Sequence, residues 1–307
     1  MIREKQLLPV GFYDLLFEEA EKNHENINSA LAMFLKASYR LIKTPLVEFE
    51  DNFHSAEIAN SFRSVDVISG KDLIFRNDIT PQISRLLASR LKNEKLPLKL
   101  CYVGDVLCKK NNDLYADRQQ TQVGAEIIGC DLEESNYEII EILLSVLKKL
   151  TDKNLLIEFS LPNFLEVFLN EIGEKNNAEL IAAIKQKNIS LIKKFANKNA
   201  EIITKIALSN QNLKNLALEI FGKINSQKIT FEINRAQKIA EFLQKNFPQI
   251  KVCFDLFGDD KTSYHRDIAF DVFADNFSYA IARGGRYKIN DLDAIGATIY
   301  MNFLRKI

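Results

Sequence analysis

The sequence predicts a mixed α+β fold, in which an antiparallel sheet flanked by helices is interrupted by an all-helical insertion. Strand-like segments dominate residues 1–160 and return in residues 248–307, whereas residues 161–247 carry almost only helical patterns. The composition is that of an ordinary globular chain, since 47% of the 307 residues are hydrophobic and 41 basic residues balance 41 acidic ones. We therefore expect a discontinuous core, residues 1–160 and 248–307, and an insertion domain, residues 161–247.

The first quarter of the chain alternates helical and strand-like segments. Apolar residues at helical spacing predict a long amphipathic helix over residues 17–40. YRLIKTPLVEFE follows with strand character, interrupted by Pro45, which cannot donate to a strand ladder. VDVIS and DLIFR flank a Gly-Lys pair and predict a hairpin. Thr80 as N-cap and Pro81 at the first helical position then predict a helix start.

The rest of the chain supplies the other strands and the insertion. LKLCYVGDVLC and QTQVGAEIIGC predict two long strands, followed by a strongly apolar helix over residues 137–150. Amphipathic patterns predict helices within the insertion over residues 164–172, 178–187, 201–208 and 213–221. IKVCFDLF, DIAFDVFA and FSYAIARGG predict strands again, with GGRY as a turn at the end of the last one. AIGATIYMNFLRKI predicts a short helical tail.

Composition excludes several classes of function. Zero net charge argues against a general nucleic-acid binder. Three scattered histidines offer little material for a metal site or a Ser/His/Asp triad, so we expect neither metal nor cofactor. No apolar run is long enough for a signal peptide or a membrane span, so we expect a cytoplasmic protein. The cysteines match no zinc or redox spacing and are expected as free thiols: Cys101, Cys108, Cys130 and Cys253.

Four polar or small residues share one face of the second long strand, because side chains alternate with a period of two: Gln120, Gln122, Gly124 and Glu126. Such a face is a suitable floor for a small polar ligand with an amino group, although a solvated sheet face is the simpler interpretation. Asp78, where a strand turns into a helix, is suited either to capping the helix or to binding an ammonium group. His265 is suited to catalysis or, more simply, to a structural hydrogen bond.

The order of these segments resembles the catalytic core of class II aminoacyl-tRNA synthetases, specifically the histidyl-tRNA synthetase lineage. The resemblance rests on LPVGFYD, LIFRNDITPQISR, YVGDV, QTQVGAEIIG, SYHRDIAFDVF and GGRY followed by AIGATI, and covers nearly the whole chain outside the insertion. RNDITPQISRLLASR is more similar to the catalytically silent relatives that serve as regulatory subunits of ATP phosphoribosyltransferase. The implied fold is a class II synthetase-like antiparallel sheet flanked by helices.

The resemblance implies that the ATP site has been lost. Where the synthetases hold the nucleotide with arginines, this chain has Cys108 after the first long strand and Phe303 near its end, and a third such position falls near Asp260. Because one removed donor to a phosphate-rich transition state costs roughly 3 kcal/mol or more, we expect no adenylate formation and no catalytic residue.

The resemblance also implies a better preserved histidine pocket. Asp78 matches the residue that holds the ammonium group, and Lys288 departs from the family's GGRYD. Arg266 and Arg286 are candidate partners for the carboxylate. His265, Arg266 and Asp267 replace residues of the family's histidine loop, which puts the affinity in question. The residues expected to bind histidine are Asp78, Thr80, Gln122, Glu126, Tyr264 and Tyr287.

The function implied by the resemblance is regulatory. We expect a homodimer that joins a short-form ATP phosphoribosyltransferase catalytic subunit, activates it and relays feedback by free histidine. The chain stops shortly after its last synthetase-like motif, so we expect no tRNA substrate. Two alternatives stay open: a residual amino-acid ligase acting on a non-tRNA substrate, and a synthetase-like binding module without its histidine-biosynthetic partner.

Overall fold

The computed structural model describes residues 7–53, 58–109, 117–130, 132–208, 213–258 and 265–307. The chain divides into two compact units, Met1–Asp152 with Ile289–Ile307 and Lys153–Lys288. The predicted division into a core of residues 1–160 and 248–307 and an insertion of residues 161–247 stays a prediction.

The helices are α1 (Phe17–Lys36), α2 (Thr80–Ala88), α3 (Leu132–Leu150), α4 (Phe164–Glu171), α5 (Ala178–Lys185), α6 (Ile189–Phe195), α7 (Ala200–Leu208), α8 (Leu213–Lys223), α9 (Gln227–Asn246) and α10 (Met301–Leu304). The strands are β1 (Arg40–Ile42), β2 (Val47–Phe49), β3 (Phe62–Val65), β4 (Asp72–Phe75), β5 (Leu98–Leu107), β6 (Gln119–Ile128), β7 (Leu155–Ser160), β8 (Lys251–Asp255), β9 (Arg266–Ala274), β10 (Ala282–Ile289) and β11 (Leu292–Tyr300). The mixed α+β class is confirmed.

The first unit is built on four hydrogen-bonded strands in the order β1-β5-β6-β11. β1 runs parallel to β5, whereas β5 with β6 and β6 with β11 are antiparallel. Helices α1 and α3 pack on each other and on these strands. The apolar side of α3 supplies much of the core, with six apolar residues fully buried: Ile139, Ile140, Leu143, Leu144, Val146 and Leu147. A small antiparallel sheet, β2-β4-β3, completes the unit.

The second unit combines the strand order β10-β9-β7-β8 with helices α4 to α9. Phe159 on β7 stacks on Phe254 of β8 at 5.2 Å between ring centroids, so aromatic packing joins the parallel pair. Asn177 and Ser226 accept from backbone N–H groups at the starts of α5 and α9, which explains where these helices begin. The helical character predicted for this stretch is confirmed, and α6 and α9 add helices that the sequence patterns did not single out.

The predicted helical tail is wrong for most of its length. Residues 292–300 form β11, which pairs with β6 from Ala294 opposite Ile128 to Tyr300 opposite Gln122. Only Met301–Leu304 is helical. Inside a helix, glycine is about 1 kcal/mol less favourable than alanine, so Gly296 disfavours a helix here. The β-branched Ile295, Thr298 and Ile299 favour a strand with buried neighbours.

GGRY is not a turn. Gly284 and Gly285 lie inside β10 and pair with Phe270 and Ala269 of β9, and the register shifts between Gly285 and Arg286. The chain turns instead at Asn290 and Asp291, which both adopt left-handed backbone conformations with φ of +47° and +65°. Asparagine and aspartate tolerate that conformation better than most residues, so the turn residues follow the glycines rather than include them.

Two local predictions also need correction. The hairpin before α2 is confirmed, but its first strand is Phe62–Val65, because the Asp66 side chain accepts from the Ile68 and Ser69 N–H groups and begins the turn there. Thr80 is not the N-cap of α2, since Ile79 occupies that position and the side chain of Asp78 accepts from the Thr80 N–H at 2.8 Å.

The four cysteines are free thiols, as predicted. Across the described ranges, no helix has both the length and the apolarity needed to cross a bilayer. Nor do the described side chains include a group of three or more His, Cys, Asp or Glu residues arranged to hold a metal ion.

Candidate functional site

The structure brings four of the predicted site residues together in the first unit. Gln122 and Glu126 lie on β6, and Asp78 and Thr80 lie at the start of α2. The Thr80 hydroxyl donates to Glu126 Oε1 at 3.0 Å, and Gln122 Nε2 donates to Asp78 Oδ2 at 3.4 Å. These two bonds join the helix start to the sheet, so the four residues form one cluster.

Glu126 is a buried carboxylate held by two hydroxyl donors. It is 2% exposed, and its Oε1 accepts from both the Thr80 hydroxyl and the Tyr102 hydroxyl, the latter at 3.2 Å. Its position needs a glycine on the neighbouring strand, because a Cβ on Gly296 would overlap the Glu126 carboxylate. Two donors on one oxygen fix the orientation of the carboxylate.

Tyr102 and Thr298 form a second layer behind Glu126. Their hydroxyl oxygens lie 2.8 Å apart, and Tyr102 is 1% exposed. Burial, followed by the charges of Glu126 and Asp78, raises the pKa of Tyr102 well above its usual value. Tyr102 therefore stays protonated and acts as a donor to the Glu126 carboxylate.

Asp78 has one carboxylate oxygen committed to the helix and the other directed to the sheet. Oδ1 accepts from the Thr80 N–H, and Oδ2 accepts from Gln122. Burial raises the pKa of Asp78, and the bonds from Thr80 and Gln122 oppose this rise only in part. A positive charge placed beside Asp78 would lower its pKa again.

Gln122 carries an unused acceptor. The side chain is 2% exposed, and its Oε1 is buried without a hydrogen-bond partner in the described part of the chain. A buried acceptor left without a donor costs about 1–3 kcal/mol. A donor N–H group at this point would relieve that cost, so Gln122 Oε1 is the open acceptor of the cluster.

Neither of the two described positions expected to correspond to ATP-binding arginines contains a cation. Cys108 follows β5, where burial raises the pKa of its thiol to about 11, so the group is neutral. Phe303 is buried in α10 with its ring 5.8 Å from that of Tyr300. Asp260, the third position, lies outside the described residues. Neither described side chain can bind a phosphate through charge.

The other predicted site residues belong to the second unit. Arg286 and Tyr287 are buried in β10, at 2% and 3% exposure, whereas Arg266 is exposed at the first position of β9. His265 is half-buried and Lys288 is exposed. Tyr264 lies outside the described residues. The structure therefore assembles Asp78, Thr80, Gln122 and Glu126 into one cluster, and the roles of the remaining residues stay predictions.

The sequence patterns missed Tyr102, Thr298 and Gly296. Tyr102 could have been found, because the period of two on β5 places it on the same face as Gly104, opposite the predicted floor of β6. Thr298 and Gly296 could not, since the segment that carries them was expected to be helical.

Solved structures share this fold. The chain matches the ATP phosphoribosyltransferase regulatory subunit/histidyl-tRNA synthetase of Bacillus halodurans with a TM-score of 0.83, at 21% identity over 98% of this chain and 83% of that one. It matches the ATP phosphoribosyl transferase (HisG:HisZ) complex of Thermotoga maritima with a TM-score of 0.72, at 18% identity over 91% of this chain and 97% of that one. The fold is therefore that of the histidyl-tRNA synthetase-like class II proteins.

Sequence similarity gives the family. The family profile described as histidyl-tRNA synthetase matches residues 11–304. An ATP phosphoribosyltransferase regulatory subunit of Methylobacillus flagellatus is 30% identical over 95% of this chain and 76% of that protein. The chain belongs to the histidyl-tRNA synthetase family, and within it to the ATP phosphoribosyltransferase regulatory subunits.

Proposed function

We propose that this chain is a non-catalytic regulatory subunit that activates a short-form ATP phosphoribosyltransferase catalytic subunit and relays feedback by histidine. The observation that supports the proposal is a contrast between two groups of residues in the same fold. The amino-acid cluster of Asp78, Gln122 and Glu126 is intact, whereas Cys108 and Phe303 stand where phosphate-binding arginines would be expected. Such a protein binds an amino acid without activating it.

Histidine fits the chemistry of the cluster. Its ammonium group would pair with the Asp78 carboxylate, and its imidazole N–H would satisfy Gln122 Oε1 or Glu126. Each charge-assisted bond of this kind contributes about 1.5–3 kcal/mol, which is roughly ten- to a hundredfold in affinity.

The proposed partner is a separate catalytic chain. The Thermotoga maritima structure is described as a complex of two components, and the similar proteins are described as regulatory subunits. Feedback through this chain requires histidine to bind two states of the complex with different affinities, because equal affinity would shift neither state. We infer that the complex works in the cytoplasm.

Reconstitution with the short-form catalytic subunit tests the proposal. We expect the catalytic subunit to be activated by this chain and the activity to fall when histidine is added. Glu126→Gln should weaken the inhibition by about tenfold or more, because it removes the charge that Thr80 and Tyr102 hold. Glu141→Gln, on the exposed side of α3, is the matched control and should leave inhibition unchanged.

The outcomes separate the alternatives. Activation without histidine inhibition would contradict the feedback role alone. If this chain neither co-purifies with the catalytic subunit nor activates it, the result would favour a binding module without its biosynthetic partner.

We also propose a homodimer formed through the N-terminal segment, α1 and β1. β1 ends the strand order of the first unit, so one of its backbone edges has no strand neighbour there. The segment before and at the start of α1 exposes a run of large apolar side chains: Leu7, Leu8, Val10, Tyr13, Leu16 and Phe17. An exposed apolar run is typical of a protein interface, and an unpaired strand edge offers a second surface for pairing.

A further inference from the structure

Arg76 is a buried cation two residues before Asp78. Its side chain is 5% exposed. Nε donates to the Asp105 carbonyl of β5 at 2.7 Å, and Nη1 donates to the Thr44 hydroxyl at 2.7 Å and to Gln82 Oε1 of α2 at 3.2 Å. The Arg76 guanidinium therefore contacts three parts of the first unit: β5, the connection between β1 and β2, and α2. It holds all three against the segment that carries Asp78.

Stability alone does not account for this arginine. Among the described residues, the oxygens that accept from Arg76 are neutral: carbonyl, hydroxyl and amide. Burial lowers the pKa of the guanidinium, and the nearby charges of Asp105 and Glu48 oppose this only in part. Replacing a buried charge by an apolar side chain of similar volume often leaves a protein equally stable or more stable. The buried charge of Arg76 therefore points to a role in orienting the segments that its hydrogen bonds join.

The guanidinium lies over the strand position that faces the site. A Cβ on Gly104 would overlap Arg76 Nη2, and Gly104 is paired with Gln122 in the register of β5 and β6. Arg76 therefore packs on the sheet directly beside Gln122. Asp78 follows Arg76 two residues later in the chain. The bond between Gln122 and Asp78 spans the two elements that Arg76 holds together.

We propose that Arg76 is a positioning residue of the amino-acid site: it fixes the turn that carries Asp78 against β5 and β6, and thereby sets the affinity for the ligand ammonium group. The inference rests on the proposed function, since histidine is the ligand assigned to the cluster. It adds that the connection between β1 and β2, held through Thr44, is mechanically linked to that ammonium position.

Calorimetry with two ligands tests this role. Arg76→Lys keeps the charge but cannot reproduce the planar fork of donors. We expect it to weaken histidine binding about tenfold, and to change the binding of imidazole-4-propionic acid, which lacks the ammonium group, less than about twofold. The matched control is Arg85→Lys, which disturbs the two 2.7 Å bonds to Glu48 on the far side of the same network and should change neither affinity more than about twofold.

A second variant and a ligand-free measurement keep the inference testable. Gly104→Ala should displace the guanidinium without removing it and should reproduce the effect of Arg76→Lys. Amide exchange at Thr80, whose N–H donates to Asp78, should be faster in both variants than in the wild type and in Arg85→Lys. Equal losses for both ligands, or unchanged Thr80 exchange, would overturn the inference. If the wild type binds no histidine, the proposed ligand is overturned instead, and Thr80 exchange alone decides the role of Arg76.

Discussion

At the residue scale, the cluster depends on two buried carboxylates that accept different sets of hydrogen bonds. Glu126 receives two hydroxyl donors on one oxygen. Asp78 receives one backbone N–H and a long bond from Gln122, and burial raises its pKa. The sequence predicted that Asp78, Gln122 and Glu126 belong to one site. The bonds that orient them could not be predicted, because they depend on Tyr102 and Thr298 from strands far apart in the chain.

Asp78→Asn should make the protein more stable near neutral pH and weaken histidine binding. Because the pKa of Asp78 is raised in the folded state, the folded protein holds its proton more tightly than the unfolded chain does. Stability from this group is therefore present at low pH and is lost as pH rises from the unfolded pKa through the folded one. Asparagine cannot ionise, so the variant does not lose this stability as pH rises. Its side-chain oxygen can still accept from the Thr80 N–H.

Thermal unfolding of both proteins from pH 3 to pH 8 measures the effect. The melting temperatures should differ most at the high end of this range, and calorimetry at pH 7 should show about tenfold weaker histidine binding by the variant. A variant that is less stable at neutral pH would contradict the assignment of Asp78 as a destabilising charge kept for a ligand.

The neutral residues at the nucleotide positions give a second prediction at this scale. ATP-dependent pyrophosphate exchange should stay at background with histidine and with every other amino acid, because Cys108 and Phe303 cannot stabilise phosphate charge. Exchange above background with any amino acid would favour the residual ligase. A histidyl-tRNA synthetase measured in parallel is the positive control.

At the scale of the element, period-two patterns predicted three long strands correctly, whereas the strands predicted over VDVIS and FSYAIARGG were displaced by several residues from β3 and β10. β5, β6 and β9 were predicted close to their observed bounds. β11 was not, because its alanines suit a helix while its β-branched residues suit a strand, and pairing with β6 decides between them. The site requires a small residue in this strand, since Gly296 leaves room for Glu126.

Gly296→Ala should therefore damage the site more than the fold of the rest of the unit. The new methyl group would overlap the buried Glu126 carboxylate, so we expect a loss of about 1–3 kcal/mol in unfolding free energy and undetectable histidine binding. Gly222→Ala is the matched control, because nothing lies within 4 Å of the added Cβ and the residue is in α8. That change should stabilise by up to about 1 kcal/mol and leave binding intact. Chemical denaturation and calorimetry on both variants decide the comparison.

At the scale of the whole molecule, the hydrogen bonds of Arg76 link the Asp78 cluster of the first unit to the segment that follows β1. The connection between β1 and β2 contacts Arg76 through Thr44, while β1 itself exposes Leu41 at 50%. A second copy that covers the β1 edge would therefore act on the same segment that Arg76 holds. Assembly and ligand binding are expected to be linked for this physical reason.

The chain should be a dimer at micromolar concentration, and Leu41→Lys should shift it toward monomer. A charge at the centre of an apolar contact loses the burial of the leucine and adds the desolvation of an ammonium group. Val67→Lys is the control, because Val67 is 95% exposed in the turn between β3 and β4, away from the β1 edge. Sedimentation velocity of the three proteins should show dimer, monomer and dimer in that order. A wild type that sediments only as monomer would contradict the interface, and a Leu41→Lys dimer as tight as the wild type would place the contact elsewhere on the surface.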